Sequence, residues 1–274
     1  MSTRTVVVGR GPQWVARDSA VMVRRYLLHS LRQPELIVFS TIQPVMFVIL
    51  FRYVFGGAIA TGTNYVDYLM PGIFVQTTVF GSMLTGLGLA YDLQSGIIDR
   101  FKSLPMSRSA VLIGRNVTDA LRNVFVILLM LAVGFLVGFR IHGGIVATVG
   151  AVALIVLFGF AFQWISALIG VVVRNPEAVQ SAGFIWVFPL TFLSSAFVPT
   201  NSIKPDWLQA IAKANPFTIA VNGARQLFMG PAEASQVAGL GTDATSNVLI
   251  TIAWVIGLLL VFVPLAVRRY RRAT

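Results

Sequence analysis

Ten carboxylates, two histidines, three lysines and no cysteine are the groups with which this 274-residue chain could do chemistry. Their spacing supports no catalysis. His29 and His142 lie far apart with no His or Cys neighbours, so spacing offers no metal site. The lysines follow Phe101, Ile203 and Ala212, and none completes G-x-x-x-x-G-K-[ST]. H-E-x-x-H and G-x-S-x-G are absent as well. The carboxylates stand outside the long apolar runs or beside their ends. An ion-coupled carrier usually keeps an ionisable group near mid-membrane, at about 2.5–3.5 kcal/mol on insertion scales. Here the polar groups within or near the runs are Gln43, Gln76, Gln163, Asn222 and Arg225. Each is a candidate for lining a pathway, and each could equally bridge two helices.

The stretch Tyr91–Arg122 has chemistry of another kind. Ile97, Ile98, Phe101 and Leu104 recur at the spacing of one helical face, while Asp99, Arg100, Lys102 and Ser103 take the other. Ser95 can cap the start, and Pro105 forbids continuation. A two-turn amphipathic helix between apolar runs must lay its greasy face on a membrane, on its own chain or on a partner. A plain solvated connector is the alternative.

The elements that would position these groups are membrane helices. The chain is 56% hydrophobic and 11% charged, against about 25% charged residues in soluble domains. Six runs approach the ~20 residues that cross a bilayer core: Leu36–Phe55, Leu69–Ala90, Leu121–Phe139, Ile145–Val173, Val179–Val198 and Val248–Val267. The net charge of +11 gathers at the ends of these runs, which is a topology signal rather than a nucleic-acid footprint. With six spans, 16 of the 21 basic residues share one side with both termini, and that side is cytoplasmic. No signal peptide is expected. Between Gln13 and Gln33, a stripe of Ala16, Ala20, Val23, Leu27 and Leu31 faces away from Arg17, Arg24, Arg25 and Arg32. With Trp14 this reads as an interfacial helix on an anionic leaflet, the alternative being a helix bound to a partner. The outer connection Pro199–Asn247 carries two half-apolar helices. One lies around Trp207, Leu208 and Ile211, and the other runs from Phe217 to Phe228, closed by Gly230-Pro231. Together they form either a hairpin that re-enters the outer leaflet or a surface cap.

The residues Asp92, Gly96, Asp99-Arg100-Phe101-Lys102-Ser103-Leu104-Pro105, Ser107-Arg108 and Gly114-Arg115 resemble the loop of ABC-2 type exporter membrane subunits. Arg174-Asn175-Pro176-Glu177 and Asn215-Pro216-Phe217-Thr218 are further likenesses, and the similarity runs essentially the whole chain. The nearest branch is the daunorubicin/doxorubicin-resistance (DrrB-like) permeases. The resemblance implies an all-α integral membrane fold forming one domain over residues 1–274. An interfacial segment (1–34) would lead into spans one to five (35–198), an outer helical connection (199–247), and span six with a basic tail (248–274). It implies a permease in the cell membrane working as two copies, with two copies of a separate ATPase that carries ATP and magnesium. This chain itself would bind no cofactor. The loop helix, with Ile97, Ile98, Asp99, Arg100, Phe101, Lys102, Leu104, Pro105 and Arg108, would dock on that ATPase. The cargo would be a lipophilic drug or lipid, with a lipid-linked glycan as the alternative. A narrow greasy channel favours the first, a wide aromatic one the second. A non-transporting scaffold or a lipid-modifying enzyme is the reading from outside transport, and an enzyme would need converging titratable groups.

Overall fold

A computed structural model describes residues 12–32, 34–56, 61–102, 106–107, 109–237, 239–240 and 243–273. Among them there is no strand. Helix α1 is Pro12–Leu31, and α2, Pro34–Leu50, runs on into a π-helical turn, Phe51–Phe55. Then come α3 (Tyr65–Gln94), the short α4 (Ile97–Lys102), α5 (Ala110–Val137), α6 (Gly144–Val173) and α7 (Pro176–Phe192). The outer connection holds α8 (Asp206–Ala214) and α9 (Pro216–Ala234), and α10 (Ala244–Ala273) closes the chain. Among the described residues four helices are long and apolar enough to cross a membrane: α3, α5, α6 and α10. Helices α2 and α7, of 17 residues each, are shorter. The third span expected from Leu121 is the outer part of a helix that begins at Ala110.

Helix α3 is the hub. It packs along α6 through a seam of small residues. A Cβ on Gly86 would run into the Ser166 carbonyl, one on Gly170 into Gly86, and one on Gly159 into Thr78. Small residues let two backbones approach closely, so dispersion and weak polar contacts do the work that apolar burial cannot do in lipid. The main core around this seam includes Phe74, Phe139 and Phe228, whose rings meet pairwise at 5.7–6.0 Å, two of the three meetings edge to face at 78–86°.

Helix α9 is packed into the protein. Twelve of its residues are buried, including Phe217, Arg225 and Phe228. Phe217 meets Phe158 of α6 at 6.3 Å. Phe158 stands about 21 Å along α6 at 1.5 Å per residue. At the other end, the Phe228 carbonyl accepts from His142 and Gly143 N–H, just before α6. Thus α9 begins beside the middle of α6 and rises to its start. In α8, Trp207 and Ile211 stay exposed, Leu208 is half-buried and Ala212 is buried.

Helix α1 lies across the start of α5 and packs on it with a different face from the stripe read for the membrane surface. Ser19, Met22 and Tyr26 turn inward, whereas Ala16, Ala20 and Leu31 are exposed. Gly114 is the cause: only a residue without Cβ lets Met22 come this close to α5. Trp14, Arg17, Arg24, Arg25 and Arg32 remain exposed, as a basic interfacial face requires.

Candidate functional site

Where the end of α3 meets the start of α5, charged side chains are drawn into the packing. Asp119 is only 3% exposed. It accepts from Thr85 Oγ1 (2.7 Å) and Arg115 Nε (3.3 Å), and its other oxygen faces Arg122 Nη2 at 3.4 Å. Arg115 also reaches Asp92 at 3.5 Å, and the Tyr26 hydroxyl donates to Asp92 at 2.9 Å. The Arg115 guanidinium stacks 5.2 Å over the Tyr26 ring. Burial, then the Asp92 carboxylate, push the Tyr26 phenol upward, so it remains a donor. Three helices are tied here by alternating charges. Sequence reading placed Asp119 beside a span and missed this cluster, although Arg115, Asp119 and Arg122 at i, i+4 and i+7 mark one helical face.

Helix α4 touches the same region. Ile98 is 2% exposed and packs with Met22, Tyr26, Leu89, Ala110, Val111 and Tyr270, while Ile97 lies half-buried against them. The expected docking face is therefore internal at its first two positions. The chain covers it because α1 folds back over the loop, where Asp18 accepts from Ser107 N–H at 2.8 Å. Arg100 is exposed. Leu104, Pro105 and Arg108 lie outside the described residues, as do the side chains of Asp99, Phe101 and Lys102.

Beside the charged cluster, a cavity of about 180 Å³ opens between α2, α3, α5 and α7. Its walls are apolar, with Phe47, Phe80, Met83, Leu87 and Phe184, and its polar points are Gln43, Gln76, Arg122, Asn123 and Gln180. Gln76 is 4% exposed, and its Nε2 has no hydrogen-bond partner among the described residues. A buried amide N–H without an acceptor is costly, about 1–3 kcal/mol. Such a donor at a cavity wall suits a guest that carries an acceptor.

The remaining candidate pathway residues have other duties. Gln163 is fully buried. In the amide orientation that satisfies both its ends, it donates to Asn116 O (3.0 Å) and accepts from Ala120 N (3.2 Å) and Asn123 Nδ2 (3.1 Å), stapling α6 to α5. Arg225, 1% exposed, donates to Tyr68 O (2.9 Å), Asn222 Oδ1 (3.0 Å) and Ser195 O (2.8 Å), and stacks 3.6 Å over Tyr68. Asn222 also accepts from Ser195 Oγ at 2.8 Å. These two side chains hold the turn after α7. The fold also gathers Asp67, His142 and Glu233, which sequence spacing had left apart.

The ABC-2 type transporter family profile matches residues 18–229. The chain belongs to the ABC-2 type transporter family. This ABC-2 chain is 36% identical to the daunorubicin resistance ABC transporter permease protein DrrB1 of Streptomyces coeruleorubidus, over 98% of this chain and 92% of that one. It is 24% identical to a probable doxorubicin resistance permease, DrrC, of Mycobacterium tuberculosis H37Rv, over 94% and 89%. A putative transport permease, ycf38, of Pyropia yezoensis is 27% identical over 77% and 74%.

Two motifs of the ABC-2 chain prove to be helix starts. In Arg174-Asn175-Pro176-Glu177, Arg174 ends α6 at a φ of 58°, Asn175 accepts from Glu177 and Ala178 N–H, and Pro176 opens α7. In Asn215-Pro216-Phe217-Thr218, Asn215 accepts from Phe217 N–H and donates to Leu190 O (2.8 Å) and Leu193 O (2.6 Å). Thr218 Oγ1 then accepts from Ser195 N–H at 3.2 Å.

Arg225→Met keeps the bulk of the side chain but leaves the Ser195 and Tyr68 carbonyls without this donor. At about 1.5–3 kcal/mol for each hydrogen bond lost from a charged donor, the purified protein should unfold several degrees earlier, read by tryptophan fluorescence in detergent. An unchanged midpoint would mean that the staple is idle.

Proposed function

We propose that this chain is the membrane permease subunit of an ATP-binding-cassette exporter that moves a lipophilic drug or lipid outward. It is driven by two copies of a separate cytoplasmic ATPase, which carries ATP and magnesium, and it binds no nucleotide itself. The observation that carries the reading is the apolar cavity with the orphan Gln76 donor on its wall. Its narrow, greasy lining favours a lipophilic guest over a glycan. The drug-resistance names of the relatives point the same way.

Two copies of the permease fit this reading. A pocket for a drug-sized molecule runs to about 300–1,000 Å³, more than one chain's cavity supplies. On the elements that wall it, Ile42 and Met46 of α2 and Ile185 and Phe188 of α7 are exposed and apolar. A second copy packed on those faces would enlarge the cavity and cover the apolar surface; lipid would cover the rest.

The topology of the proposal has α2 and α7 as spans despite their length, six in all, with both termini cytoplasmic. Helices α8 and α9 form the outer hairpin. Helix α9 then lies at membrane depth within protein, and α8 lays Trp207 and Ile211 on the outer surface. An impermeant thiol reagent applied to intact cells should label Ser235→Cys and spare Ser107→Cys; labelling of the second would reverse the orientation.

Gln76→Leu removes the donor while preserving size. Membrane abundance should stay normal and export of an anthracycline should fall about tenfold, the equivalent of one lost neutral hydrogen bond. Unchanged drug accumulation in cells carrying this variant with the cognate ATPase would remove the cavity from the pathway.

The loop helix divides into two roles. Ile98→Ala empties a site inside the chain and should cost about 2–5 kcal/mol of the permease's own stability. Phe101→Ala, three residues on, should leave the permease folded and weaken ATPase recruitment roughly 30-fold, as loss of an interface anchor does. Pull-down of the ATPase together with permease abundance separates the two. Equal loss of abundance in both variants would mean that the whole helix packs on its own chain.

A further inference from the structure

We propose that Asp67, His142 and Glu233 form a binding site for a divalent transition-metal ion, of which Zn²⁺ is the natural probe. The three come from separate elements: the first turn of α3, the turn before α6, and the last turn of α9. Each offers a ligand atom, and these atoms lie within 4.8 Å of one another. His142 Nδ1 and Glu233 Oε2 already stand 3.0 Å apart. Four ligands at 2.0–2.1 Å around tetrahedral zinc lie roughly 3.3 Å from each other, so the site is one small side-chain rotation from closing.

Asp67 is the second, independent sign. It is 4% exposed. Among the described residues its carboxylate takes a single hydrogen bond, from Arg140 N–H to Oδ1 at 2.7 Å. The group faces a second carboxylate, Glu233, across the site. The Arg140 guanidinium acts on Asp67 only through space, its Nη1 donating to the carbonyls of Phe135 and Phe139. Two carboxylates and an imidazole thus offer the charge and the donor atoms that a divalent ion would balance. The imidazole selects the metal: calcium and magnesium prefer all-oxygen sets, whereas nitrogen with carboxylate suits zinc and its neighbours. His142 and Glu233 are partly open to solvent, which gives the ion an entry and leaves room for water as the fourth ligand.

A bound ion would clamp the start of α3 to the end of α9 and the α5–α6 turn, so it would hold the arrangement seen here against any rearrangement of these ends. The inference does not depend on the cargo.

The test uses the full-length permease, purified through a tag without histidine and reconstituted in nanodiscs. Zinc is titrated by calorimetry, and thermal unfolding is followed in parallel. The wild type should bind one ion per chain and unfold later with zinc. His142→Ala and Glu233→Gln, both at partly exposed positions, should fold normally without metal, bind at least tenfold more weakly and lose the thermal shift. His29→Ala, which changes the other histidine of the chain, should behave as wild type. No binding by the wild type, or binding undiminished by His142→Ala, overturns the site. Stabilisation by Ca²⁺ equal to that by Zn²⁺ and retained in His142→Ala would reduce it to a simple acidic patch, and also overturns it.

Discussion

Carbonyl groups at the end of α7 set the terms for this fold. The helix stops at Phe192, and a helix end leaves its last carbonyls without intrahelical partners. In water such groups are solvated, but in a membrane chain they must find donors within the protein. Here side chains of two other helices provide them. Asn215 donates to Leu190 and Leu193, Arg225 and the Tyr68 hydroxyl to Ser195, and the Tyr65 hydroxyl to Phe197 at 3.2 Å. Because those donors sit on α3, at the cap of α9 and half-way along it, the need to satisfy this short segment draws α9 into the core. A guanidinium is the right tool. Its planar fork reaches three acceptors at once and still stacks on an aromatic ring, which an ammonium would not do.

Where α3 meets α5 the problem is the opposite one, charges rather than backbone. Taking Asp119 out of water is costly, and its attraction to Arg115 and Arg122 offsets this only because Thr85 fills a further acceptor site. Removing one partner would leave the others buried and unbalanced, so the members of the cluster hold together or fail together. Gly88 belongs to this arrangement, since a Cβ there would occupy the space of the Arg115 guanidinium. The network is therefore a geometric constraint on α1, α3 and α5 more than a source of net stability.

Much of this was legible in the sequence, and the limits have physical causes. Apolar runs and basic flanks revealed a helical membrane chain, and a helix was expected after Asn215-Pro216; Asn175-Pro176 was read only as a family likeness, although its cap is equally local chemistry. What failed was anything decided by a distant neighbour. The face of α1 that packs on α5 has no mark in α1 itself: only Gly114, far along the chain, selects Met22 and Tyr26. Ile98 has the periodicity of a docking face, yet α1 covers it first. Arg225 and Gln163 read as pathway groups because a polar residue in an apolar setting has two uses, and its partners decide which. Gln43 and Gln76 carry the same ambiguity and come out on the cavity wall.

Cavity and charged cluster share one residue, Arg122. It faces Asp119 at 3.4 Å and also lines the cavity beside Gly81 and Asn123. From there the contacts run without a break through Asp119 and Arg115 to Asp92, two residues before the end of α3, and on to Tyr26, which packs with Ile98 of α4. A displacement of α4 thus cannot be absorbed in a soft loop; it meets a chain of ion pairs on two long helices. Contiguity alone is not coupling, which needs an element with two arrangements. The stiffness of the α3–α6 seam limits where such an element can be. Backbones this close, with no Cβ to spare at Gly86 or Gly170, cannot slide past one another, so movement is left to the faces where α2 and α7 border the cavity.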